Sequence, residues 1–254
     1  MSGHSKWAQI RRSKGVNDAR RGQLFTRLGR EIAVAVREGG GGDPEANFRL
    51  RMAIQRARDA NMPLDNIERT IKRVVGGGEG NNLEEITYEG YGPGGTAMLV
   101  QTLTDNRNRT VAEVRNAFNR NGGNMGENGC VDWMFEYKGV IEVELNGRDA
   151  DELSIEAMEW GADDIEQAQE GDETLVIYTD PSNLEEVRQT LEKNSITILR
   201  SEATMVAKTK TDITDEKVAH QTIRLIEKLE DLDDVQNVYT SAEFSDEFAS
   251  SYDA

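Results

Sequence analysis

Between residues 76 and 82 the chain reads Gly-Gly-Gly-Glu-Gly-Asn-Asn. Neither a helix nor a strand is expected to cross that run, since each glycine costs about 1 kcal/mol relative to alanine in a helix and leaves nothing to pack in a strand. The spacing of apolar residues changes across it, from helical before to alternating and mixed after. The chain therefore divides into a helical first part and an α/β remainder, joined by a linker.

In the first part a helix is predicted from Asn17 or Asp18 to Arg37. Leu24, Phe25, Leu28, Ile32, Ala35 and Val36 share one arc of it, and Arg20, Arg27, Arg30 and Arg37 share another; Arg21 alone falls among the apolar positions. One face is expected to pack and the other to present guanidinium groups. Gly39 to Gly42 ends this helix. Asp43-Pro44-Glu45 has the chemistry of a new helix start, with Asp43 as the capping carboxylate. Asn61-Met62-Pro63 opens a third helix carrying Leu64, Ile67, Ile71 and Val74.

Beyond residue 82, Ile86 to Tyr91 and Ala97 to Leu103 read as strands around the turn-rich Gly92-Pro93-Gly94-Gly95. Thr110 to Arg120 reads as a helix and Cys130 to Phe135 as a strand. Residues 137–206 follow the order strand, helix, strand, strand, helix, strand, the split pattern called ferredoxin-like. A helix over Asp215 to Leu229 and a strand over Val235 to Tyr239 cannot bury themselves alone, so they are expected to pack back on 83–135. The fold class is thus α+β in three domains: a basic helical domain over 1–80, a discontinuous α/β domain over 81–136 and 207–241, and an inserted ferredoxin-like domain over 137–206. Residues 242–254 form an acidic tail, short of aliphatics and expected to fray.

Charge follows the same division. Residues 1–80 hold 16 Lys and Arg against 9 Asp and Glu, a balance of +7, whereas the rest hold 14 against 38, a balance of −24. A basic module on an acidic body points to an anionic partner for the first part. Phosphate contacts are expected from Lys6, Arg11, Arg12 and Lys14 in an arm, and from Arg20, Arg21, Arg27 and Arg30 on the helix behind it. Trp7 beside Lys6 has two open readings, stacking on an exposed base or packing the arm onto the helices. Arg107 and Arg109, in Thr104-Asp105-Asn106-Arg107-Asn108-Arg109-Thr110, lie at a strand-to-helix junction. Its polar residues either cap the helix or offer donors to a phosphate.

Catalytic patterns do not emerge. His4, His220 and the single Cys130 lack the spacing of a zinc site, no nucleophile elbow is present, and Gly76 to Gly80 lacks the Lys-Ser/Thr of a phosphate loop. No catalytic residue, metal, cofactor or small-molecule substrate is expected. Without a long apolar run, a signal-like segment or a pair of cysteines, a cytoplasmic location with no membrane partner is expected.

Several motifs carry a resemblance. Gly3-His4-Ser5-Lys6-Trp7-Ala8, Ala19-Arg20-Arg21-Gly22, Asn61-Met62-Pro63, Tyr88 to Gly95, Thr104 to Thr110, and Asp234-Val235-Gln236-Asn237-Val238-Tyr239 resemble the YebC/PmpR family, in order and over nearly the whole chain. The resemblance implies a helical domain followed by two α/β domains. It also implies a cytoplasmic regulator described as DNA-binding, with relatives implicated in translation, including mitochondrial translational activators and factors that relieve ribosomes stalled on proline-rich stretches. The sequence departs from the pattern at Gln9, at Arg11-Arg12-Ser13 and at Thr240-Ser241, the last expected to touch only the tail.

Two functional readings follow. One is a transcriptional regulator that binds DNA through the arm and first domain. The other is a ribosome-associated factor whose same residues contact rRNA or tRNA. The acidic body repels a long duplex and no helix stands out for reading bases, which favours RNA recognised by shape. A third reading, an acidic protein-binding adaptor, predicts binding indifferent to the arginines.

Overall fold

The computed structural model describes residues 18–77, 83–166, 173–245 and 248, with the side chains of 18–21 and 23 left aside. Helix α1 spans Asp18–Glu38, α2 Phe48–Asp59 and α3 Leu64–Val75. The three bury one core, built from Leu28, Ile32, Ala35 and Val36 of α1, Leu50, Ala53 and Ala57 of α2, and Ile67 and Val74 of α3. The cap of α2 differs from expectation. Asp43 holds only a turn, accepting from the Glu45 amide, and the helix starts later at Asn47, whose Oδ1 accepts from Leu50 N at 2.9 Å. Asn47 is buried, and its Nδ2 donates to the carbonyls of Ala35 and Gly41, both at 2.8 Å. A side chain there stitches the end of α1 to the start of α2. Gly39 makes this possible, because a Cβ at that position would stand 2.1 Å from Asn47 Oδ1.

The α/β remainder holds two four-stranded sheets. Strands β1 (Glu84–Tyr91), β2 (Ala97–Thr104), β3 (Asn124–Met125) and β9 (Val235–Thr240) form the first, in the order β3-β1-β2-β9, antiparallel throughout. Helices α4 (Arg107–Arg120) and α7 (Glu216–Glu230) cover one face through Val114, Phe118, Leu225, Ile226 and Leu229, packed on Tyr88, Met98 and Val100. Glycine is required at Gly90, where a Cβ would meet Asn124 O at 2.6 Å and the Phe118 ring at 2.9 Å.

The second sheet contains β4 (Phe135–Glu144), β5 (Asp164–Ile165), β6 (Thr174–Thr179) and β7 (Ile198–Ala207), in the order β5-β6-β4-β7. Helices α5 (Ala150–Glu159) and α6 (Leu184–Lys193) lie between its strands in sequence and pack on it through Leu153, Ala157, Val187 and Leu191. This is the ferredoxin-like order, with the first and third strands central.

Three segments depart from the sequence reading. Of the strand expected over Cys130 to Phe135 only Phe135 is one, as the first residue of β4; a short 3-10 turn at Asp132–Met134 leads into it. Ser241 is buried and touches far more than a tail. It exchanges bonds with Ala97 in both directions, accepting from its amide at 2.9 Å and donating its own amide to the Ala97 carbonyl at 3.0 Å, and its carbonyl accepts from Thr211 N. The tail does not fray at its start either. Strand β10 (Ala242–Phe244) pairs in parallel with β8 (Thr211–Ile213), and Phe244 is buried beside Ile223 and Ala219 of α7. Two phenylalanines suffice where aliphatics are scarce.

Candidate nucleic-acid interface

Of the residues expected to meet phosphates, Lys6, Trp7, Arg11, Arg12 and Lys14 lie outside the described residues, as do the side chains of Arg20 and Arg21. Arg27 is half-buried, with its Nε shielded from solvent. Burial extends around the second half of α1 to Ala33 and Val34, so this half has no free basic face.

Arg30, half-buried, and Arg109, exposed, are both engaged by an acid of this protein. They converge on Asp234, which is 2% exposed. The register of β2 against β9 shifts between Gln101 and Thr102, and Leu103 N then donates to the Asp234 carbonyl at 2.8 Å. That places the carboxylate at the first turn of α4, where helix amides and dipole favour an anion. Its Oδ2 accepts from Arg109 Nη2 at 2.6 Å, Thr110 Oγ1 at 2.8 Å and Thr104 Oγ1 at 3.1 Å. Its Oδ1 accepts from Arg30 Nη1 at 3.1 Å, and the same nitrogen donates to the Asp233 carbonyl at 2.6 Å. Burial would raise the pKa of Asp234, but the hydrogen bonds from Arg109, Thr110 and Thr104 outweigh it and hold the group below the ordinary aspartate value.

The junction 104–110 therefore already has its anion, and that anion is a side chain of this protein. Asn106 caps α4, accepting from Arg109 N at 3.1 Å, so the capping reading of the segment is the one realised. Arg107 remains exposed, with no ion pair among the described residues. Arg30 ties the helical unit to the first sheet. Arg56 Nη1 bonds Glu31 at 2.6 Å and its Nη2 reaches the Ala203 carbonyl of β7 at 3.3 Å, while Arg49 pairs with both Glu38 and Glu85. The basic unit does not stand apart from the acidic body.

Free cations lie instead on α2 and α3. Phe48, Arg51, Gln55 and Arg58 follow one exposed stripe of α2, and the Arg51 guanidinium sits 5.6 Å from the centroid of the Phe48 ring, itself 63% exposed. Arg69 and Arg73, one turn apart, are exposed on α3. Among the described residues Arg51, Arg58, Arg69 and Arg73 make no salt bridge. Their spacing was readable in the sequence, but nothing there distinguished them from Arg49 and Arg56, which are bound.

A second carboxylate organises the loop before β4. Glu89, 6% exposed, accepts from the amides of Gly129 at 2.6 Å and of Val131 and Asp132 at 2.8 Å. Burial would raise its pKa, and the backbone donors more than reverse this. The Tyr88 to Gly95 motif thus holds a loop in place as well as making a hairpin. Replacing Glu89 by alanine orphans three amides and should cost about 2 kcal/mol. Hydrogen exchange should then quicken at Gly129, Val131 and Asp132 ahead of global unfolding.

No group of three His, Cys, Asp or Glu able to hold a metal ion occurs among the described residues, and no helix there is long and apolar enough to cross a membrane. Comparison with known proteins matches residues 5–77 to the TACO1/YebC protein N-terminal domain and residues 83–242 to the TACO1/YebC second and third domain. The chain belongs to the TACO1/YebC family. A relative from Chloroflexus aurantiacus, named "Probable transcriptional regulatory protein", is 55% identical over 256 residues, covering 100% of both chains. One of the same name from Moorella thermoacetica is 54% identical over 244 residues, covering 96% of each. A crystal structure of a conserved hypothetical protein from Aquifex aeolicus superposes with a TM-score of 0.75 at 48% identity, covering 90% of this chain and 93% of that one. Family membership and the multi-domain α+β fold agree with the resemblance read from the sequence.

Proposed function

We propose that this protein is a nucleic-acid-binding regulator of gene expression, and that its helical unit makes the phosphate contacts. The observation that carries the reading is the set of exposed, unbridged arginines Arg51, Arg58, Arg69 and Arg73, with Phe48 beside Arg51, on a protein whose residues 81–254 carry a balance of −24. Cations left in solvent without acid partners, next to a body rich in acids, are disposed to meet an anion from outside. The names of the relatives support a role in regulation. Lys6, Arg11, Arg12, Lys14, Arg20, Arg21 and Arg107 are further phosphate contacts in this proposal, and Trp7 a stacking group. Arg30 and Arg109 belong to the interface only if Asp234 releases them.

DNA is one ligand of this chemistry and structured RNA, including that of the ribosome, is the other. The acidic balance of the body favours RNA, because a long straight duplex would have to pass it whereas a folded RNA presents phosphates locally. The test is a salt titration of binding to mixed-sequence duplex DNA and to a structured RNA, with ribosome co-sedimentation alongside. A variant with Arg51, Arg58, Arg69 and Arg73 all changed to Gln should bind more weakly. The slope of log K against log salt should fall by about four, near one per lost phosphate contact. These side chains are exposed, so stability should shift by no more than about 0.5 kcal/mol per site. An unchanged slope in the folded variant would remove α2 and α3 from the interface, and absence of binding to either nucleic acid by wild type would leave the acidic adaptor reading.

A further inference from the structure

Trp133 is the most exposed large apolar side chain among the described residues, at 67%, and it sits on a loop held from both sides. Its neighbours on either side are anchored. Val131 and Phe135 are buried in one cluster with Ala97, Leu99 and Ala207, and Met134 packs against it. Glu89 takes the amides of Gly129, Val131 and Asp132. The indole itself is oriented by its polar edge: Nε1–H donates to the Cys130 carbonyl at 3.2 Å, and the Tyr91 hydroxyl donates to the same oxygen at 3.1 Å. Lys208 Nζ donates to the carbonyl of Trp133 at 3.2 Å, and the Lys208 amide bonds Met134 O at 2.8 Å. The large apolar side chain turned outward is thus an aromatic ring whose only donor is spent on the protein and which is left two-thirds in solvent.

We propose that Trp133 is a stacking platform for an unpaired nucleic-acid base. The proposal rests on the nucleic-acid reading above and adds to it a second contact, distinct from the arginines of α2 and α3. An indole fixed in advance loses little conformational freedom when a flat partner covers it, and every base has a face that suits it. An ammonium bonds once to Trp133 O and keeps two further donors, enough to steer one phosphate beside the ring. The exposed acids Glu127 and Asp132 on the same loop limit further phosphate contact. Stacking, rather than ion pairing, is then the source of affinity here. Bases inside a duplex are already stacked and cannot reach the ring, so the platform selects single strands, loops and ends.

The experiment compares wild type with Trp133→Ala and Trp133→Phe on labelled single-stranded oligoadenylate, RNA and DNA, and on the corresponding oligo(dA)·oligo(dT) duplex, each at two salt concentrations. Trp133→Ala should weaken single-strand binding about 5- to 140-fold, the span of one base–aromatic stack, while duplex binding stays constant. Trp133→Phe should retain most of the affinity. The ratio of wild type to Trp133→Ala should be the same at both salts, because a stack releases no counterions, whereas loss of an arginine changes the slope. Equal losses on single strand and duplex, or no loss on either, would overturn the platform and leave the arginine interface intact. Binding to neither strand nor duplex by wild type would overturn both readings together. Self-association that disappears in Trp133→Ala, with oligonucleotide affinity unchanged, would assign the ring to a second copy of the chain and overturn the proposal.

Discussion

Changing Asp234 to alanine should destabilise the protein by about 3 kcal/mol and loosen the helical unit from the first sheet. The carboxylate is buried and accepts from Arg30, Arg109, Thr104 and Thr110. Its removal takes the shared acceptor from two hydroxyls and two guanidinium groups. Arg30 keeps the Asp233 carbonyl, Arg109 keeps Asp105 and Thr110 keeps the Asn106 carbonyl. Losing the central acceptor of a buried network still costs more than one bond is worth. Arg109 is largely in solvent and Arg30 partly so, which keeps the expected cost at the lower end for a broken ion cluster. Asp234→Asn preserves shape and one acceptor oxygen and should cost less. Chemical denaturation of the three proteins measures the order, and equal midpoints would show that the cluster contributes nothing to stability.

The same cluster has a defined pH signature. The Asp234 carboxyl is held below its ordinary value when folded, so it binds a proton less readily in the native than in the unfolded chain. Its contribution is fully present above the unfolded pKa of about 4 and is lost as pH falls through the lower folded value. The stability gap between wild type and Asp234→Asn should therefore be constant near neutrality and shrink below about pH 4. A gap that widened on acidification would contradict the assignment. Release of Arg30 should also appear as faster hydrogen exchange at the bonds joining α1 to the body.

The second large effect is expected at the end of the chain. Phe244→Ala should cost about 3–4 kcal/mol, the usual price of emptying a fully buried phenylalanine site. Phe244 is 1% exposed and lies on Ile213, Ala219 and Ile223. Its ring stacks on Phe248 with centroids 5.9 Å apart, and Phe248 in turn meets the edge of His220 at 5.0 Å. Removing residues 242–254 should uncover the same face of α7 and cost at least as much, since it also deletes the partner strand of β8. A thermal midpoint unchanged by either change would return this segment to the status of a tail.

Much of this protein was legible in its residues alone. The helical part and its end before Gly76, the alternating strands and the βαββαβ order follow from local chemistry: period, caps and turn residues act within a few positions of one another. So did the return of the strand at Val235 to the first sheet, because an isolated helix and strand have no core of their own. The boundaries that were misplaced are those where a distant group intervened. Asn47 replaced Asp43 as a cap because Asn47 could also bond the end of α1, and the segment from Cys130 to Met134 became a turn because Glu89 takes the amides of Val131 and Asp132.

The free or bound state of each cation was beyond the sequence. Arg30 and Arg109 look no different in composition from Arg51 and Arg58, and on a helical wheel all four face outward. Their fates diverge because the register of β2 and β9 brings Asp234 to the first turn of α4, across 125 residues from Arg109 and 204 from Arg30. Local propensity sets which way a side chain leaves its helix. Only the tertiary fold sets what it meets there, and for a charged group that meeting decides whether it is a structural tie or a contact left for a ligand.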